Sequence, residues 1–187
     1  MRRTWPRMLG APAAIFTVLA LAQSPAPERA SQPAPDFSLP QVRGGLFHLH
    51  EHPAQATLLA FVETVPDTAD TPSRGEAVFV SSMAHQYGRR GLRVAVIDAS
   101  ALISGRPPQR DALVNASYDW HLEIPLLVDT DSRVARAFRV TRPPTIILLA
   151  PDGSISQRWD GFTRPAVLAQ GIEKLLGGPL GSIPKIR

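Results

Sequence analysis

The chain has 187 residues, enough for one ordinary domain and an appendage, and its 44% apolar and 19% charged residues are a globular balance. It contains no cysteine, which excludes disulfides, iron–sulfur clusters, thiolate zinc sites, a thiol nucleophile and a lipoprotein anchor. The formal charge of +4 falls to +1 once Arg2, Arg3 and Arg7 are set aside, so the basic excess does not point to nucleic acid.

Those three arginines open an export signal. Met8 to Leu21 is mostly small and apolar, and Ala20-Leu21-Ala22 is an A-x-A cleavage site, so residues 1–22 read as a signal peptide. The apolar run is short and contains Pro12, so no stable membrane span is expected after cleavage. The competing reading is an anchor formed by an uncleaved N-terminal segment. Residues 23–35, with Pro25, Pro27, Pro33 and Pro35, read as a polyproline-like linker. The domain is expected over 36–177, with 178–187 as a tail.

Leu46 to Leu49 reads as a short strand after Gly44-Gly45, and Thr57 to Val62 as a central strand covered on both faces. A loop rich in Pro, Asp and Thr follows. Thr71 is placed to cap a helix whose first turn holds Pro72, with Phe79, Val80, Met83, Ala84 and Tyr87 as its buried stripe. Leu92 to Ile97 is the next strand, and after a Gly-Pro-rich loop a helix is expected over Arg110 to Trp120. Pro125 to Val128 opens a further strand. Asp129-Thr130-Asp131 then caps a short helix with Val134, Ala137 and Phe138 inward. Thr145 to Ala150 and Ile155 to Trp159 form a hairpin about Pro151-Asp152-Gly153. Thr163 is expected to cap the last helix, with Leu168, Ile172, Leu175 and Leu176 inward. The sum is a layered α/β domain.

The sequence resembles the thioredoxin-like redoxins of the alkyl hydroperoxide reductase/thiol-specific antioxidant type, including exported thiol–disulfide proteins. The resemblance runs from about Ala34 to Leu176. It rests on Ala34-Pro35-Asp36-Phe37-Ser38-Leu39-Pro40, Gly91 to Val94, Ile124-Pro125-Leu126-Leu127-Val128-Asp129, Ser132 to Val140, and Pro143-Pro144-Thr145 followed by Pro151-Asp152-Gly153. It implies a thioredoxin-like fold, a central mixed sheet with helices on both faces. It also implies a cis-proline at Pro144 facing the start of the helix after the first central strand. In such proteins a thiol sits at that helix N-terminus, where partial positive charge favours the thiolate.

Three frames locate the missing thiols. Counting from Phe61 places a Cys-x-x-Cys on Pro66 and Ala69. Counting back from Arg74 and Glu76 places it on Asp70 and Ser73. The peroxidase pattern started at Pro66 puts Asp70 at its threonine and Ser73 at its cysteine. None holds a thiol, and an unactivated serine hydroxyl near the water value of about 15.7 does not ionise at neutral pH. No catalytic residue is therefore assigned. The degenerate groove comprises Thr64, Pro66, Ala69, Asp70, Thr71, Pro72, Ser73 and Arg74 on one side, and Arg142, Pro143, Pro144 and Thr145 on the other. The last frame makes Ser73 the old reactive position, so a cysteine placed there is expected to be activated.

Other candidates have plainer readings. His48, His50 and His52 alternate and could bind copper or zinc, but Pro53 breaks the strand and the rings are expected to diverge. Glu63, Asp67 and Asp70 read as turn and capping residues with Arg74 or Arg142 as partners. Arg89, Arg90 and Arg93 read as a solvated helix end, and Trp120, Trp159 and Phe162 as packing residues. The expected function is an exported, cofactor-free, non-catalytic module that binds a polypeptide or envelope protein, not nucleic acid. A redoxin-class oxidoreductase, as family membership alone implies, and an envelope metal-binding protein are the alternatives.

Overall fold

The computed structural model describes residues 32–51, 54–64 and 71–179. The expected signal peptide, most of the linker, the end of the tail, and Pro66, Ala69, Asp70 and His52 lie outside them.

Among the described residues seven strands and five α-helices follow one another: β1 (Ser38–Pro40), β2 (Leu46–His48), β3 (Ala56–Val62), α1 (Pro72–Tyr87), β4 (Leu92–Asp98), α2 (Ser100–Ser104), α3 (Arg110–Asp119), β5 (Leu126–Val128), α4 (Arg133–Ala137), β6 (Thr145–Leu149), β7 (Ile155–Asp160) and α5 (Pro165–Leu175). The main sheet has the order β5-β4-β3-β6-β7. β4 runs parallel to β3 and β5, whereas β6 is antiparallel to β3 and β7, so the sheet is mixed. β1 and β2 form a separate antiparallel pair.

All seven residues of β3 are buried because both sheet faces are covered. Leu58, Ala60 and Val62 point toward one core with Val80 and Met83 of α1, Leu113 and Trp120 of the α3 region, and Leu168 and Ile172 of α5. Leu59 and Phe61 point to the other, with Phe37, Leu39 and Phe47 beside the small sheet and Val134, Ala135 and Phe138 of the α4 region. This alternation is the period of two of an extended strand.

Several expectations need correction. β1 and α2 were not anticipated: β1 is only three residues and contains Pro40, and α2 lacks a capping side chain. The inward stripe of α1 is Ser73, Glu76, Ala77, Val80, Met83 and Tyr87, with Phe79 and Ala84 only partly buried. In α4 Ala135 is buried and Ala137 exposed. Asp129 does serve that helix, accepting the Val134 and Ala135 amides at 3.2 and 2.8 Å. Thr163 does not cap α5, whose N-cap is Arg164 with no side-chain bond.

Of the arginines near Gly91, Arg89 is exposed, but Arg90 and Arg93 are not part of a solvated face. Arg90 donates to the Leu176 and Gly178 carbonyls at 2.9 and 2.7 Å. Arg93 donates to the Leu49 and His48 carbonyls and lies 3.9 Å from the Phe47 ring centroid. Gly91 between them has φ +94°, and a Cβ there would lie 2.7 Å from Gln55 Cγ. Gln32 and Ala34 bond the hairpin at Ile155 and Gly153, so packing begins before Asp36.

Candidate functional site

The carboxyl end of β3, the start of α1 and the start of β6 meet at one end of the sheet. Thr71 caps α1 in extended geometry, its Oγ1 accepting the Arg74 amide at 3.2 Å, and Pro72 occupies the first turn. Ser73 is 4% exposed, and its Oγ accepts the Glu63 backbone N–H at 3.0 Å. The hydroxyl therefore fastens the helix start to the strand exit. It does not present a nucleophile to solvent, which corrects the expectation that a cysteine at this position is an accessible reactive thiol.

Thr64 follows on the strand exit. Its Oγ1 donates to Asp98 Oδ1 at 2.5 Å, and its amide donates to Ser100 Oγ at 2.9 Å. The Ser100 hydroxyl donates to the same Asp98 oxygen at 2.6 Å. Asp98 is fully buried at the end of β4. Burial pushes its carboxyl up, opposed by the hydrogen bonds from Ser100 and Thr64.

On the facing side the Pro143–Pro144 peptide bond is cis. Thr145 pairs in register with Phe61, which puts the start of β6 beside the end of β3. Its hydroxyl is shared between the Arg142 carbonyl at 3.1 Å and Asp160 Oδ1 at 3.0 Å. Arg158 holds Asp160 from the other side, and its hydrogen bond, with that of Thr145, keeps the carboxyl below the usual range. The Pro144 carbonyl accepts the Gly161 amide at 2.8 Å.

A second link joins this loop to α1. Glu76 is fully buried, and its Oε2 accepts the Thr163 amide at 3.4 Å. Burial pushes the carboxyl up to about 6, opposed by that hydrogen bond. Between Gly161 and Thr163, Phe162 is 65% exposed. The expectation of a packing role fails for this residue, although Trp120 is buried. A large apolar side chain beside the cis-proline loop had no pattern in the sequence to mark it.

The remaining candidates disperse. Arg74 donates to the Asp119 carbonyl at 3.2 Å. His48 bonds Ser38 Oγ at 2.6 Å, whereas His50 faces Asp36 at 3.7 Å. Among the described residues no group of three His, Cys, Asp or Glu is placed to hold a metal ion. No helix among them is long and apolar enough to cross a membrane.

A mixed sheet of this order, with a capped helix after its central strand and a cis-proline opposite, is a thioredoxin-like fold. The chain belongs to the AhpC/TSA family, whose model matches residues 30–158. Among solved structures it is similar to a Chlorobium tepidum protein designated a candidate thiol:disulfide interchange protein DsbE, with 21% identity and TM-score 0.68 over 79% of this chain and 97% of that one. It is also similar to dsbF of MTB, with 20% identity and TM-score 0.61 over 74% and 94% of the two chains. A Bacteroides fragilis thiol-disulfide oxidoreductase gives 22% identity and TM-score 0.62 over 77% and 99%. No curated protein matches the sequence.

Proposed function

We propose that this chain is an exported redoxin-fold protein that binds an extended segment of polypeptide at the degenerate site and performs no thiol chemistry of its own. The observation that carries the reading is the pairing of a maintained scaffold with absent chemistry. The capped helix start and the β3–β6 register that sets Thr145 beside Phe61 are both present, in a chain without cysteine. The buried Ser73 and the exposed Phe162 fit the same reading, the first as a structural tether and the second as an apolar contact. Export rests on the arginines, apolar run and A-x-A site of residues 1–22.

The test is a titration of the chain with a reduced, alkylated and unfolded polypeptide carrying a fluorescent label. Saturable binding that is weakened by Phe162→Ser, with the fold intact by circular dichroism, supports the reading. Absence of saturable binding, or equal binding by the variant, removes it.

A further inference from the structure

Four arginines recur at every third position before the cis-proline pair: Arg133, Arg136, Arg139 and Arg142. All four are exposed. Residues 132–143 contain no acidic side chain. Arg136 donates to the Asp131 carbonyl. The guanidinium groups of Arg133, Arg139 and Arg142 make no hydrogen bond or ion pair among the described residues. This differs from Arg90, Arg93 and Arg158, each held by backbone carbonyls.

Two clefts of about 460 and 420 Å³ adjoin these residues and share an apolar floor of Pro35, Ala137 and Phe138. Arg139 and Arg158 line the first, and Arg133 lines the second. In the first cleft Asp160 is paired with Arg158 and Arg139 is left as a positive charge, whereas the second holds Arg133 and Asp36, whose carboxylate lies 3.7 Å from His50. Arg133 and Arg139 are planar donors suited to carboxylates.

We propose that this arginine face binds an acidic segment of extended polypeptide, a partner chemistry that rests on the polypeptide-binding reading above. The apolar floor takes side chains between the carboxylates, and Arg142 directly precedes the cis-proline pair in sequence. A nucleic acid fits less well, because the whole chain has only a small basic excess once the N-terminal arginines are set aside.

The test uses two short fluorescein-labelled peptides, one of alternating glutamate and serine and one of alternating glutamine and serine. The chain is expected to bind the glutamate peptide more tightly, with affinity falling as salt is added. The variant R133Q/R139N/R142Q should weaken it by about tenfold or more. A control losing the same charge elsewhere, R89Q/R106Q/K174Q, should stay within about twofold. Circular dichroism melts verify folding, and R133Q and R142Q singly should each weaken binding if the triple variant does not fold.

Equal affinity for the two peptides overturns the proposal while leaving the polypeptide-binding reading standing. Equal weakening by the control overturns it as bulk charge, and tighter binding of an oligodeoxythymidylate overturns it in favour of nucleic acid. Loss of glutamate-peptide binding in the arginine variant upholds the arginine face, whereas the groove reading is judged by the effect of Phe162→Ser on the unfolded polypeptide. No binding of either peptide overturns both.

Discussion

The Ser73 hydroxyl accepts the Glu63 backbone N–H at 3.0 Å, tying the first turn of α1 to the exit of β3. In the frame counted back from Arg74 and Glu76, Ser73 stands where the second thiol of a Cys-x-x-Cys would be. A serine there keeps the helix start joined to the strand, and the join does not depend on redox chemistry.

Ser73→Ala therefore removes the partner of a part-buried amide. The expected cost is about 1–3 kcal/mol, the range for leaving such a donor unpaired. Thr71→Ala should cost about 0.5–2 kcal/mol, the range for losing a helix cap. The bond to Glu63 gives Ser73 a structural role of its own, separate from the cap at Thr71. Urea unfolding of both variants checks the pair, and a Ser73→Ala midpoint equal to wild type would remove the tether.

A cysteine at Ser73 should be alkylated slowly by iodoacetamide in the native state, because the position is buried. Addition of denaturant should raise the rate sharply. Rapid labelling of the folded variant would mean that this helix start opens readily.

Burial raises the Glu76 carboxyl from 4.5 to about 6. The folded state then binds the proton more tightly than the unfolded state does. The resulting stability is fully present below pH 4.5 and is lost as pH rises through about 6. Glu76→Gln mimics the protonated form. Denaturation profiles against pH should show the variant gaining on wild type through that window, and parallel profiles would refute the assignment.

Arg90 and Arg89 separate a structural arginine from a surface one. Arg90→Met strips the donor from the Leu176 and Gly178 carbonyls and should cost about 1–3 kcal/mol. Arg89→Gln, at an exposed position, should stay within about 0.5 kcal/mol. Thermal melts of the two variants decide it.

Much of the fold was legible because its signals are local. The unbroken apolar run at Thr57 to Val62, the Thr71-Pro72 helix start and the Pro151-Asp152-Gly153 turn each carry their own chemistry in adjacent residues. The cis bond at Pro144 was legible through the resemblance of the Pro-Pro-Thr segment. Elements set by tertiary partners were not. β1 exists because it pairs with β2 across a turn, and α2 has no capping side chain. Arg90 and Arg93 looked like a charged helix end because the carbonyls they hold lie 44 to 88 residues away in sequence. The links from Glu76 to Thr163 and from Thr64 to Asp98 are likewise long-range, 87 and 34 residues apart.

Thiol chemistry offers a plain check. Insulin reduction with dithiothreitol, and peroxide consumption with dithiothreitol, should proceed at the rate of a heat-denatured control, since the chain holds no sulfur nucleophile of the cysteine type. Turnover clearly above that control in metal-free protein would assign the site a chemistry that its residues do not provide.

The central claim is that the scaffold of a redox site serves as a polypeptide-binding groove, and amide hydrogen exchange with a saturating unfolded, alkylated polypeptide tests it most directly. The account predicts protection concentrated at Thr71, Ser73, Arg74, Arg142, Thr145 and Gly161 to Thr163. Protection confined to other surfaces, or none at saturation, would contradict it.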